Sequence, residues 1–385
     1  MSHVHKFYDV IVVGVGGMGS ASAFHLAKRG LRVLGLEQFN IPHALGSSHG
    51  ITRIIRLGYY EDPSYTPLVN RALELWKELQ TEVDERLYYE TGSIDAGASG
   101  DLTFEGSLSA CKFHKLPYEV LDNQQVEERF PAYKLPKNIM SVYQRDGGFL
   151  LPERCIVSHV MAAQSLGARI QAREEVLEWS TTSQGVRVVT NQGTYEAEQL
   201  VFTAGAWMGQ LVKEMGLFTR VERQVLGWFQ PLVRDIFSPT KFPVFNIQVP
   251  EGRYYGLPEF SVPGFKLGRY HHLDEGVIPQ NLSQICTKED QSVLRDFVAK
   301  YFPLGNGATM ALAPCMFTNT LDEHFIIDEH PKYSQVKIVS PCSGHGFKFC
   351  SVIGEIVADL VQSGKTRHDI SLFSMKQNRE FGVKT

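Results

Sequence analysis

The sequence predicts an α/β chain in which a doubly wound, Rossmann-like nucleotide domain is interleaved with an α+β domain built on a mixed sheet. Three observations carry that expectation. The apolar run Asp9-Val10-Ile11-Val12-Val13 leads straight into Gly14-Val15-Gly16-Gly17-Met18-Gly19 and an alanine-rich stretch. The region from Val221 to Met310 favours strands, with one helical interruption. Near the end, a strand, a glycine turn and a helix return in that order, as if the first domain were being completed.

The elements follow from local pattern. Tyr8 to Val13 reads as a buried strand, because it is a short apolar run bounded by a glycine turn. Ser20 to Arg29 has helical composition and Gly30 stops it. Leu31 to Leu36 is a second strand ending at Glu37, so a βαβ unit closes within about 30 residues. Pro63 to Val83 carries Leu68, Ala72, Leu75, Trp76 and Leu79 on one helical stripe. Tyr88 to Gly148 alternates short strands and turns around a helix near Phe104 to His114. Pro152 to Leu166 is helical, Arg169-Ile170 extended, and Gly185 to Leu200 hairpin-like. Val201 to Trp207 reads as a strand ending in a glycine turn. Lys288 to Tyr301 is the helix within the strand-rich region. Val336 to Ser340 is a strand, and Phe347 to Gln362 a helix. The nucleotide domain is expected from residues 1–85, 150–220 and 320–385, and the second domain from 86–149 and 221–319.

The bulk properties exclude more than they identify. At 385 residues the chain can bury a sizeable core, and 43% hydrophobic with 21% charged residues is an ordinary globular composition. A net charge of -4 gives no electrostatic case for nucleic acid. Of the six cysteines, Cys111, Cys155, Cys286, Cys315, Cys342 and Cys350, none stands in a C-x-x-C pair, which argues against a zinc site. No leader precedes the first strand and no run reaches the roughly 18 apolar residues of a membrane span. The expectation is a cytoplasmic monomer with free thiols, bound to neither nucleic acid nor membrane and holding no metal.

The glycine motif stands in the context its chemistry needs. Gly14 permits the tight turn, Gly16 lets backbone approach a pyrophosphate, and Gly19 allows close helix–strand packing. The helix start, Val15 included, offers amide donors and positive dipole charge to phosphates. Glu37 ends the next strand where a ribose would present hydroxyls. This unit alone does not separate NAD from FAD.

Later segments carry a resemblance. Ala313-Pro314-Cys315-Met316-Phe317-Thr318, Gly46-Ser47-Ser48-His49-Gly50-Ile51-Thr52-Arg53-Ile54-Ile55-Arg56 and Ser343-Gly344-His345-Gly346-Phe347-Lys348 resemble the monomeric sarcosine oxidase family of flavin amine oxidases. Thr203-Ala204-Gly205-Ala206-Trp207 resembles the second nucleotide-contacting strand of flavin enzymes, and Val176 their adenine-contacting position. The resemblance extends over most of the chain. It implies FAD linked covalently through Cys315, with Met316, Ser48, Thr52, Arg53, Gly344, Gly346 and Phe347 around the flavin. It gives Arg56 and Lys348 to a substrate carboxylate, and Arg53 with His49 to the flavin surroundings. It gives Tyr255 and a histidine near Lys266 to the amine, and Lys266 to oxygen activation. Arg53 and Arg56 are three apart, which on a helical turn would place them on one face. A guanidinium suits a carboxylate because it offers a fixed fork of donors.

Two departures matter. Lys266-Leu267-Gly268-Arg269-Tyr270-His271-His272 has one residue more than the family between lysine and histidine; His271 is the expected partner, with His272 and Tyr270 open. Phe317 stands where sarcosine oxidases carry tyrosine, so the pocket is more apolar. The implied activity is O2-dependent oxidation of a small secondary amino acid, sarcosine first, giving glycine, formaldehyde and H2O2. N-methyltryptophan and cyclic imino acids such as pipecolate or proline are the competing substrates. A flavin-binding redox sensor and an NAD-dependent dehydrogenase are the readings from other classes.

Overall fold

The computed structural model describes residues 7–217, 219–340 and 343–375; Cys342 lies outside them. The strand Phe7–Val13 is the centre of the first sheet. It pairs in parallel with Val33–Leu36 on one side and with Thr194–Phe202 on the other. Val33–Leu36 continues to Arg169–Gln171, and Thr194–Phe202 also pairs in parallel with Tyr333–Val339. The register sets Val13 beside Leu36 and Phe202, Leu36 beside Gln171, and Phe202 beside Ile338, so five parallel strands end along one edge. Ligands of doubly wound sheets bind beyond such an edge. Gly185–Thr190 pairs antiparallel with Thr194–Phe202, as the hairpin pattern predicts, and Val176–Thr182 extends the sheet antiparallel beyond it.

Both faces of this sheet are covered, which is why its strands read as continuous apolar runs. On one face, helix Gly17–Lys28 packs against Pro152–Ser165 and Cys350–Ser363, and Tyr65–Glu82 joins them through Trp76, which is fully buried. Loss of a buried aromatic of this kind costs about 3–5 kcal/mol. On the other face Ile11, Val13, Phe202 and Ile338 meet Met208 and Val212. The helix bounds agree with the sequence pattern to within a turn. The expected final helix instead opens as a 3₁₀ turn, Phe347–Phe349, before Cys350–Ser363.

The second sheet runs in the order Thr309–Asn319, Arg220–Phe229, Val262–Arg269, Gly252–Phe260, Val244–Val249, Ser93–Ala98, Ile139–Gln144 and Glu119–Leu121. It is mixed: Val244–Val249 and Ser93–Ala98 are parallel, and the other pairs are antiparallel. Phe245, Phe265, Phe297 and Phe302 form much of the core beneath it, against helix Lys288–Tyr301. That helix starts at a reciprocal capping box between Thr287 and Asp290. A second such box, Asp122 with Gln125, starts a helix at Asn123–Arg129 that the strand-and-turn reading missed.

A small third sheet joins Arg53–Ile55, Gly148–Leu150 and Tyr88–Glu90. It corrects the helical placement of Arg53 and Arg56. Arg53-Ile54-Ile55 carries two adjacent β-branched residues and pairs with Leu150-Phe149-Gly148 as a strand. Among the described residues no helix is long and apolar enough to cross a membrane, and no cluster of His, Cys, Asp and Glu could hold a metal ion.

Candidate active site

One continuous cavity runs from the C-terminal edge of the first sheet to one face of the second. At its first end, Gly14, Val15 and Gly16 line it, and Gly14 holds φ +91°. Gly19 does not line it. A Cβ there would lie 1.8 Å from the Gly14 carbonyl oxygen, so only glycine lets the helix approach the turn. Glu37 lines the cavity and is fixed by the backbone: its Oε2 accepts from Val15 N–H at 2.9 Å and its Oε1 from Phe39 N–H at 3.0 Å. Val176 and Trp207 line the same end.

The residues at this end fit a dinucleotide. The start of helix Gly17–Lys28 faces the cavity with no cap from its Gly16 N-cap, and apart from the long contact of Gly17 N–H with Ser48 its first-turn amides are left for a ligand. Further along, Thr318 and Ser340 are buried cavity-lining residues whose hydroxyls have no partner among the described residues. The Trp207 Nε1 donor is in the same position. A buried polar group left unpaired costs about 1–3 kcal/mol, so a row of them along one cavity suits a long polar ligand.

The middle of the cavity is held by the loop after Gly46. Gly50 and Ile51 donate their N–H groups to Glu153 Oε1, at 2.7 and 3.1 Å, which ties the loop to helix Pro152–Ser165. Ser48 lines the cavity and accepts from Gly17 N–H at 3.4 Å; Thr52 and Arg53 line it also. Arg53 Nη2 donates to the Ser47 carbonyl at 3.0 Å and toward Cys315 Sγ at 3.5 Å. A guanidinium and the Cys315 sulfur therefore meet on the cavity wall, beside Met316. His49 is buried behind the lining and its Nε2 has no partner among the described residues; burial, then Arg53 and Lys266, push it down to about 3, so it is neutral.

Lys266 comes from the second sheet. Its Nζ donates to the carbonyls of Gly50 at 2.8 Å and Thr52 at 2.6 Å, leaving its third position for the cavity it lines. Burial, with Arg53 next in importance, holds its pKa well below that of an exposed lysine. Tyr255 lines the cavity beside it. Tyr255 is paired with Gly268 across the sheet, where a Cβ would meet the phenol oxygen at 2.4 Å, so glycine makes room for the ring.

Strand alternation corrects the expected histidine. Residues 266, 268 and 270 share a face, and Tyr270 lines the cavity while His271 and His272 do not. At the strand end His271 takes φ +53° and leaves the sheet face. Its Nδ1 sits 2.9 Å from Glu222 and its Nε2 3.1 Å from Glu323. Hydrogen bonds to those two carboxylates raise it to about 9. His272 is fully buried against Asp290 at 3.0 Å. The Tyr270 ring meets that of Tyr255 edge-on at 5.3 Å and that of Phe317 at a tilt at 5.8 Å, so three aromatic rings wall this end.

Arg56 and Lys348 both reach the cavity here. Arg56 is 1% exposed and lies between the rings of Tyr59 and Tyr60, 4.2 and 3.8 Å from their centroids. Its Nη2 meets both oxygens of Glu61, at 2.7 and 2.6 Å, and Asp95 stands 3.8 Å from its Nε. Burial opposes ionisation of Glu61, but the Arg56 charge prevails and holds it at about 2. Lys348 Nζ has the His345 carbonyl at 2.7 Å and the Tyr59 hydroxyl at 3.4 Å, and no carboxylate among the described residues. Burial, then the Arg56 charge, brings it down to about 7. Gly344, Gly346 and Phe347 line the same wall, on the turn before the final helix.

Glu61, Asp95, Asn246 and His345 were not in the sequence reading of the site. His345 Nδ1 is 2.6 Å from the Tyr59 hydroxyl and Nε2 3.1 Å from the Glu323 carbonyl, and burial lowers it to about 4. It is neutral, with Nε2–H donating and Nδ1 accepting. The polar residue Asp95 within the strand Ser93–Ala98 was the available signal, because a carboxylate in such a run demands partners.

The FAD dependent oxidoreductase family, DAO, matches residues 9–360. The chain belongs to that family. This FAD-dependent oxidoreductase is 38% identical over 375 residues to monomeric sarcosine oxidase of Bacillus sp. (strain B-0618), covering 96% of each chain. It is 33% identical over 377 residues to N-methyl-L-tryptophan oxidase of Yersinia pestis (strain Pestoides F), covering 97% of this chain and all of that one. Among solved structures, L-proline dehydrogenase from P. horikoshii superposes with TM-score 0.85 at 21% identity, over 98% of this chain and 99% of that chain. That likeness confirms the fold.

Proposed function

We propose that this FAD-dependent oxidoreductase is an oxidase of N-methyl amino acids, which it converts with O2 to an imine and H2O2. Hydrolysis of the imine then releases the primary amino acid and formaldehyde. The observation that carries the proposal is convergence. Arg56 and Lys348, from opposite ends of the chain, line one cavity end with Tyr255, Lys266 and Cys315. The named activities of the sarcosine and N-methyltryptophan oxidases support the same reading. The sheet membership supports a nucleotide half of residues 1–85, 150–220 and 320–385 and a substrate half of 86–149 and 221–319.

FAD, when bound, supplies the two-electron acceptor for the amine and the donor for O2. Cys315 is the residue that would hold it through a thioether, with the glycine turn and Glu37 holding the adenosine half. Lys348 binds the substrate carboxylate as a compact charge and Arg56 adds directional donors. These cations also disfavour an ammonium beside them, which keeps the amine neutral and its lone pair available. Lys266, clamped by two carbonyls, offers its remaining donor to oxygen and stabilises the negative charge that develops there. Phe317, Tyr255 and Tyr270 exclude water from the reacting end.

Oxygen uptake and H2O2 release test this directly. Sarcosine, N-methyltryptophan, pipecolate and the corresponding primary amino acids are supplied to the yellow protein. Turnover of secondary but not primary amines, with formaldehyde from the N-methyl members, is expected. Turnover confined to primary amines contradicts the proposal.

A further inference from the structure

Asn246 is 2% exposed and lines the reacting end of the cavity. It stands in a transverse row of the second sheet. Asp95 is its partner on one side and Tyr255 on the other, and Tyr255 is in turn beside Gly268. Partners in such a row point to the same face, so Asn246 and Tyr255 look the same way. Its Nδ2 donates to Asp95 Oδ1 at 2.9 Å. Asp95, itself 2% exposed, takes a second donor from Ser107 Oγ at 3.0 Å and lies 3.8 Å from Arg56 Nε. Burial raises Asp95 to about 6, so at pH 7 and above it is an ionised acceptor, which fixes which end of the amide faces it. Oδ1 of Asn246 therefore points away from Asp95 and has no donor among the described residues.

We infer that Asn246 is a specificity-determining residue that accepts a hydrogen bond from a donor on the substrate's side chain or N-substituent. The inference rests on the oxidase reading above and narrows it. The preferred substrate is an N-alkyl amino acid carrying a hydroxyl or N–H beyond its carboxylate and amine. Bare sarcosine carries no such group. Asp95 is the positioning residue: it acts through the amide and does not meet the substrate. A site that presents a fixed acceptor discriminates against a ligand lacking the donor, because the buried oxygen is then left unpaired.

The test compares substrates matched in shape. One pair is N-methylserine and N-methyl-2-aminobutyrate; the other is N-methyltryptophan and its benzothiophene analogue, which lacks the ring N–H. Sarcosine serves as control, and kcat/KM is measured for each with the holoenzyme. The wild type is expected to favour the donor-bearing member of at least one pair by about ten- to a hundredfold. Asn246→Leu should bring that ratio to about one. Asp95→Asn, which keeps the volume and lets the amide turn, should lower the same ratio and serves if the leucine variant fails to fold. Ratios near one in the wild type, or a ratio unchanged in the variants, overturn the inference. Sarcosine turnover with both pairs inert overturns the inference alone. No turnover of any of these amines overturns the oxidase reading and the inference with it.

Discussion

Lys348 offers the sharpest perturbation, because its environment sets both a size and a pH dependence. Two unit charges about 4 Å apart, at an effective dielectric of about 20, attract by about 4 kcal/mol. Among the described residues no carboxylate pairs with Lys348, whereas Arg56 Nη2 already meets Glu61. If Lys348 and Arg56 bind the substrate carboxylate as proposed, most of its attraction should therefore come from Lys348. Burial has brought this ammonium to about 7. It is charged at about pH 6, whereas at about pH 8 charging it costs about 1.4 kcal/mol. Lys348→Met should then weaken a carboxylate ligand by about 4 kcal/mol at the lower pH and about 3 kcal/mol at the higher, roughly a thousandfold and a hundredfold. Both fall in the range of about 2–5 kcal/mol for truncating one member of a buried charge pair. Propionate is titrated against the flavin absorbance of wild type and variant, with propionamide as the neutral control. Equal losses for acid and amide, or a wild-type propionate affinity flat across this range, would refute the reasoning.

Three further outcomes follow from the same geometry. Cys315→Ala should release flavin into the supernatant on acid precipitation, whereas the wild type keeps its colour in the pellet; release from the wild type would sink the tether. Lys266→Met should slow reoxidation of reduced enzyme by about 10²–10³ while leaving reduction by substrate far less affected, as rapid mixing can resolve. His271→Asn should lower thermal stability at about pH 6 by about 1 kcal/mol or less, its half-exposed side chain being screened. The folded-state value of about 9 lies above the ordinary 6.5. The contribution is thus full below about 6.5 and lost as pH rises through 9. A difference between the melting temperatures that persists at about pH 10 would contradict it.

Much of the architecture was legible because it is local. The apolar run into Gly14 and the stripe through Trp76 each announce an element from adjacent residues, whereas the Asp122–Gln125 capping box went unread. Arg53 was misplaced because spacing by three was read as helical, while the β-branched pair Ile54-Ile55 signalled a strand. The histidine was misassigned for a similar reason. Counting by twos from Lys266 along a strand reaches Tyr270, and the turn at His271 carries both histidines away from the cavity. Glu61, Asp95 and Asn246 could not be found from spacing. They come together only when a loop and two strands of the second sheet meet Arg56, and partners of a buried charge are a tertiary property.

The account stands on the substrate amine giving its electrons to the flavin in this cavity. Anaerobic titration of the yellow protein with an N-methyl amino acid measures that step without oxygen, product chemistry or coupling enzymes. The account predicts loss of the visible flavin absorbance on adding the amine, and its return on admitting O2 with release of H2O2. Flavin absorbance unchanged by every secondary amino acid supplied, in protein whose flavin is still reduced by dithionite, would contradict it.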